Sequence, residues 1–515
     1  MLMTAADYRE SLRRYRPRVF VNGRAVTSVA DEPLLAPGVN AVGVTYDFAH
    51  VPEHRPLMTA RQHTSGKTVN RMLHINTSTQ DLLDKLEAVR RACQVSGCAQ
   101  RYLDHDAFNA LFQATKRADA SHGTDYHQRF LAYLHEIQDQ DLTLGVAMTD
   151  AKGDRSRRAG QQSNPDVYVH ITERRSDGIV IRGAKAIVTG APYMHGFLVM
   201  PCRTHTPEDA AFAVCCAVPV DAPGVTIVAR PAGRPGEAAA TFSARYGQST
   251  GVVLFDDVFV PHARVFLAGE HEEAGFLTTA YATHHRHSCI GARAGFGDLL
   301  IGAAAMMIEA NGLDPGRHHH VRDAMVELIT ITESFYACGI AASVYGTLDP
   351  AGTLMPEAMF ANIGKLLLAT KIYDMHRLAH EVSGGLIVAL PGPDEDHNPE
   401  TKASLAAVLA GRADIPAEQR LDVARLIEDL TASYQGGWYS VISLHGGGSP
   451  EAMKREIWRH YPVADKVELV SRLLERGALA GGGRVSRQPG RCCPTGCEAP
   501  AGQRGEPAPG LVPSQ

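Results

Sequence analysis

Residues 145–266 constrain the fold most. They include VYVHITERRSDGIVIRGAKAIVTG and GVVLFDDVFVPHARVF, in which apolar and polar residues alternate. Strand side chains switch faces at every residue, so a period of two fits half-buried antiparallel strands and not a helix. Ser176, Asp177 and Gly178 separate two such runs with the chemistry of a hairpin turn, and Ala222-Pro223-Gly224 marks another turn. Helical spacing of apolar residues appears on both sides of this block. It is seen at residues 82–94 (LLDKLEAVRRACQ) and 126–138 (YHQRFLAYLHEIQ), and again past Glu272 in GFGDLLIGAAAMMIEANG and the tracts that follow. The pattern predicts an α+β chain: a helical N-terminal domain over 1–147, an antiparallel β middle domain over 148–272 and a C-terminal helical bundle over 273–480. Residues 481–515 are rich in Gly, Pro and Arg, cannot bury a core, and are expected to form a disordered tail.

A chain of 515 residues exceeds one ordinary core, which agrees with several subdomains. A net charge of −5 and a pI near 6.6 give no electrostatic reason for nucleic acid or an anionic membrane as partner. No run of about 18 consecutive apolar residues occurs. The N-terminus lacks the apolar core of a secretion signal, so a cytoplasmic location is expected. The ten cysteines are read as buried thiols rather than a disulfide framework. Three of them, Cys492, Cys493 and Cys497, form CCPTGC in the tail with no histidine after them, and a loose tail is the reading there.

The segments HQRFLAYLHEIQDQDLTLGVAMTDAKGDR, RGAKAIVTGAP, VLFDDVFVPHARVFL, HRHSCIGARAGFGDLLIGAA and LHGGGSP occur in this order. Together they resemble the 4-hydroxyphenylacetate 3-hydroxylase / 4-hydroxybutyryl-CoA dehydratase family of flavoproteins, from about residue 5 to about residue 475. The resemblance implies an acyl-CoA dehydrogenase-like fold, a homotetramer, and a flavin bound between middle domain and bundle.

Two chemistries are implied by the resemblance. The dehydratase branch uses FAD and a 4Fe–4S cluster held by three cysteines and one histidine. Its Cys-x-x-x-Cys pair corresponds here to Cys98 and Tyr102, and its histidine–cysteine pair to His285 and Ala292. Two thiolates of that set are missing, so no metal is expected; a rearranged cluster using Cys93 or Cys289 is the competing arrangement. A catalytic tyrosine of that branch is replaced by Cys289, and two glutamates align with Thr250 and Ile442. The hydroxylase branch needs no metal. It takes reduced flavin (FADH2, with FMN left open) from a separate flavin reductase. Its Arg-x-x-x-aromatic substrate motif corresponds to Arg101 and His105, and its substrate histidine to Val146.

The turn MTDAKGDR is the leading cofactor element: Ala147 and Met148 match backbone facing the flavin ring, and Lys152, Asp154 and Arg155 match the flavin-contacting turn. Lys and Arg suit a diphosphate; a solvated charged turn is the plainer alternative. Thr189 matches a threonine that bonds the flavin ring, and Gly446, Gly447 and Gly448 resemble a turn where backbone nears the cofactor. Expected catalytic residues are His285, as a base near neutral pH, with Arg101 and His105 on the substrate side. His284 and His287 flank His285 and compete with it. The resulting expectation is the oxygenase component of a two-component monooxygenase acting on a small phenolic or similarly activated substrate. A dehydratase/isomerase of 4-hydroxyacyl-CoA thioesters with a remodelled cluster is the alternative, and a flavin-binding scaffold the third reading.

Overall fold

The computed structural model describes residues 2–475, so the expected tail over 481–515 lies outside the described residues. Residues up to Tyr461 form one compact unit; the helix Val463–Glu475 belongs to a second.

The N-terminal region is helical, with α1 (Ala5–Leu12), α2 (Ala36–Asp47), α3 (Arg55–Met58), α4 (Thr79–Ser96), α5 (Tyr102–His122) and α6 (Tyr126–Gln140). Helix α4 begins at a capping box: the Ser78 hydroxyl accepts from Asp81 N while the Asp81 carboxylate accepts from Ser78 N. It ends where Gly97 takes φ 68°.

Two sheets follow. One has six strands in the order Arg24–Val26, Val19–Val21, Val225–Ala229, Thr250–Pro261, Gly178–Thr189, His170–Arg174. The last two form the hairpin expected around Asp177 and Gly178. The other has four strands, Val265–Ala268, Val214–Pro219, Gly196–Val199 and Leu144–Ala147. Their inward faces, with Phe197, Val188, Val253 and Phe255, merge with α5 and α6 into one apolar core. The sheets recruit more than the middle region. Val19–Val21 pairs in parallel with Val225–Ala229, and Leu144–Ala147 in parallel with Gly196–Val199.

The bundle consists of α7 (His271–Ala310), α8 (His319–Val344), α9 (Ala358–Ser383), α10 (Lys402–Val408), α11 (Ala417–Thr431), α12 (Tyr434–His445) and α13 (Pro450–His460). Helix α7 is apolar nearly all round because α4, α5, α8, α9 and α11 pack against it. By length and composition α7 and α8 could each cross a membrane, yet 67 % of the qualifying window of α7 is buried inside the fold.

Candidate active site

Helix α7 carries His285, Cys289 and Arg293 at four-residue spacing, which stacks them on one helix face. This face lines a small, tight cavity. Opposite it stand Cys98 from the α4–α5 connection, Tyr102 from the start of α5, Thr189 from a strand end, Lys365 from α9, and Trp438 and Gly446 from α12 and its C-terminal turn. No aspartate or glutamate lines the cavity.

A buried chain of polar contacts runs behind it. His285 Nδ1 lies 3.1 Å from Asp106 Oδ2, and His285 Nε2 lies 3.6 Å from Cys289 Sγ. Ser288 donates to Asp106 Oδ1 at 2.6 Å, and Lys85 Nζ donates to Ser288 Oγ at 2.9 Å. The His285 ring stacks between Tyr281 and Tyr102, at centroid distances of 5.3 and 5.9 Å. Burial alone would push His285 down, but Cys289 and Asp106 outweigh it and raise its pKa to about 10. Burial likewise works against ionising Cys289, and the neighbouring His285 and Lys365 charges overcome it and lower the thiol. The contact thus biases the proton shared by Cys289 and His285 toward the imidazole. His285 is expected from the sequence to act as a base near neutral pH; with this partner it holds a proton there.

Two further cations face the cavity without a carboxylate. Lys365 Nζ donates to the Ser443 carbonyl at 2.6 Å, and burial brings it down to about 8. Arg293, 4 % exposed, lies over the rings of Tyr439 and Phe296 and forms no ion pair with a described residue.

Of the expected residues, Thr189, His285 and Gly446 come together on this cavity. The Thr189 hydroxyl makes no hydrogen bond to a described residue. Gly447 and Gly448 adopt φ 74° and 102°, and a Cβ on Gly447 would lie 3.4 Å from the His285 ring, so the glycine turn lies close against α7. Neither flanking histidine competes for the role. His284 is wholly buried with both ring nitrogens unpartnered, and His287 is committed to Ser343 and the Gly339 carbonyl.

Arg101 and His105 lie elsewhere. Arg101 is buried against the Asp141 carboxylate and the face of Tyr46, 3.9 Å from its ring centroid, and does not line the cavity. His105 sits behind Asp106, with Nε2 3.0 Å from Asn76 Oδ1, and burial holds it down at about 4. Ala147 and Met148 have their carbonyls taken, by Met200 N and by Lys185 Nζ. The turn after them is mostly exposed. Asp154 caps Ser156, and neither Lys152 nor Arg155 forms an ion pair with a described residue. Asp106, Lys365 and Arg293 carry no sequence signal beyond being charges on apolar helices.

Residues 4–267 match the family described as 4-hydroxyphenylacetate 3-hydroxylase N terminal, and residues 274–475 its C-terminal counterpart. The chain belongs to the 4-hydroxyphenylacetate 3-hydroxylase family. Within that family it is 36 % identical to the 4-hydroxybutyryl-CoA dehydratase/vinylacetyl-CoA-Delta-isomerase of Clostridium aminobutyricum, over 91 % of this chain and 98 % of that protein. Identity to the 4-hydroxyphenylacetate 3-monooxygenase oxygenase component of Thermus thermophilus is 25 %, over 90 % and 95 %. Among solved structures, an oxygen-tolerant archaeal 4-hydroxybutyryl-CoA dehydratase from N. maritimus superposes with a TM-score of 0.89 at 34 % identity, covering 95 % of this chain and 98 % of that one. An oxygenase component of 4-hydroxyphenylacetate 3-monooxygenase complexed with FAD gives 0.82 at 23 %, covering 92 % and 99 %. The fold is acyl-CoA dehydrogenase-like, as the sequence predicts.

Cys98, Cys289 and His285 line the one cavity, but the set of three thiolates and one imidazole is incomplete at the matched positions. Tyr102 points its hydroxyl at Cys98 Sγ, 3.6 Å away, Ala292 offers no ligand, and His285 is engaged by Asp106 and Cys289. No described group of three or more His, Cys, Asp or Glu has metal-holding geometry.

Proposed function

We propose that this chain is a flavin-dependent oxygenase component acting on a phenol or a similarly acidic, electron-rich substrate. The observation that carries the reading is the charge of the cavity: two buried cations, Arg293 and Lys365, and no carboxylate. Opposite charge favours the ionised form of a bound acid, so a phenol entering here is drawn toward its electron-rich phenolate. Lys365, at about 8, stays largely protonated near neutral pH and adds its charge to that of Arg293. His285 keeps its own proton, held between Asp106 and Cys289. Tyr102, Leu103 and Trp438 narrow the space and exclude water.

The residues fit a flavin. The uncommitted Thr189 hydroxyl and the glycine turn at 446–448 suit its ring, and Lys152 and Arg155 suit its phosphates. When bound, the flavin supplies the redox chemistry, arriving reduced from a separate reductase. Exposed Val326, Ile329, Ile340 and Val344 on α8 support assembly into a homotetramer.

A second reading, a dehydratase or isomerase of hydroxyacyl thioesters, is favoured by the 36 % identity and the TM-score of 0.89. Protein purified without oxygen, assayed for iron and sulfide, and then supplied with reduced flavin, dioxygen and a panel of para-substituted phenols separates the two. Iron-free protein that makes hydroxylated product supports the oxygenase. Stoichiometric iron with conversion of 4-hydroxybutyryl-CoA overturns it.

A further inference from the structure

Two observations at the cavity bear on a second chemistry. One is the line Asp106–His285–Cys289, with contacts of 3.1 and 3.6 Å. Asp106 fixes the imidazole through Nδ1, leaving Nε2 toward the sulfur, which is the arrangement of an activated cysteine nucleophile. The other is Arg293, buried on the same wall with no carboxylate partner among the described residues.

We propose that Cys289 is a nucleophile that adds reversibly to a carbon electrophile conjugated with a carbonyl, such as an enone, a quinone or an enoyl thioester. The Cys289 sulfur forms a bond to the β-carbon, and the carbon–carbon π pair moves to the α-carbon and carbonyl oxygen as an enolate. Arg293 and Lys365 face that oxygen's charge from the same cavity. The proton on His285 Nε2 passes to the α-carbon, leaving a thioether and a neutral imidazole; the reverse steps regenerate the pair. The addition is redox-neutral and needs no co-reactant.

The groups around the sulfur agree with this. On α7, His285, Arg286 and Arg293 are cationic neighbours. From α9 comes Lys365, and from α4 come Lys85 and the protonated Cys93. Helix α5 contributes Asp106, the one anion, and Tyr102, which burial keeps protonated; Cys98 precedes that helix. Positive charge dominates, and the single carboxylate already answers His285 and Lys85.

The test uses full-length protein with limiting acrylamide, a small conjugated carbonyl, at about pH 6, where an unpaired thiol is about 0.3 % ionised. Peptide mapping by mass spectrometry follows the label. Cys289 should be modified first, roughly tenfold faster than the half-buried Cys202 and Cys338, and His285→Gln should slow it by about the same factor. Preferential labelling of Cys202 or Cys338, or an unchanged rate in the His285→Gln protein, overturns the proposal. The wild-type selectivity stands even if that variant fails to fold. Because labelling needs neither flavin nor turnover, its outcome is separate from that of the oxygenase reading.

Discussion

Replacing Asp106 with asparagine should destabilise the chain more than replacing Lys85 with methionine, and the double substitution should cost less than the sum. The Asp106 carboxylate is fully buried and lies 3.6 Å from Lys85 Nζ, 3.1 Å from His285 Nδ1 and 2.6 Å from Ser288 Oγ. Burial would raise its pKa, but the Lys85 charge together with the contacts to His105 and His285 outweighs this and holds it well below the usual carboxylate range. One carboxylate therefore answers two buried cations. Removing one partner of a buried pair costs about 3–5 kcal/mol. Asp106→Asn strands both cations and belongs at about 5 kcal/mol, whereas Lys85→Met leaves Asp106 opposed by His285 and belongs at about 3. In the double variant Lys85 is no longer stranded, so the cost falls back toward that of the lysine variant alone. Guanidinium unfolding followed by tryptophan fluorescence and far-ultraviolet circular dichroism reads all four proteins. Equal costs for the two single variants, or strict additivity in the double, would refute the shared-carboxylate reasoning.

Three other outcomes follow. Arg155→Ala, at an exposed position with no ion-pair partner among the described residues, should weaken flavin binding about tenfold, as expected for a lost charge-assisted bond; calorimetric titration showing unchanged affinity removes Arg155 from the site. The Cys289–His285 pair holds one proton when folded, while the ordinary values are 6.5 for the imidazole and 9.0 for the thiol. Below 6.5 the unfolded pair binds one proton more, so the pair's contribution grows as pH rises to 6.5. It then stays level to 9.0 and falls as pH approaches 10. The gap in unfolding midpoint between wild type and Cys289→Ala should trace that plateau, and a gap largest in acid refutes the ion pair. Gly190→Ala should cost about 2 kcal/mol or more, measured by the same unfolding curves. Gly190 has φ 74°, and its Cβ would fall 1.8 Å from Gln100 Nε2 and 2.3 Å from Met194 Cε; an unaffected midpoint contradicts the close packing there.

What the sequence reveals follows the range of the interactions involved. The hairpin at Asp177 and Gly178 and the amphipathic α4 and α6 are local patterns, and all are visible in the chain. Val19–Val21 has too few residues to show a period, and its place in the sheet is set by pairing with Arg24–Val26 and with the distant Val225–Ala229. His285 stands out through its family match, but the state of Cys289 does not. Its ionisation depends on Asp106, 179 residues before His285, and on Lys365 from another helix. Read alone, Cys289 is a small apolar residue on a buried helix.

The parallel pairing of Val19 with Ile227 also sets a schedule for folding. About 200 residues separate the partners, and at roughly 5–20 residues per second a ribosome needs about 10–40 s to make them. During that interval the first strand has only its neighbour Arg24–Val26 on one edge, and the six-stranded sheet cannot close over its core. Contacts this distant in sequence also raise the entropy cost of closure and slow folding. The nascent chain therefore carries an unpaired apolar edge, VFV, for most of the synthesis of its middle region. Expression at low temperature or with holdase chaperones protects that edge, while a bulky fusion placed just before it obstructs the last step of sheet assembly.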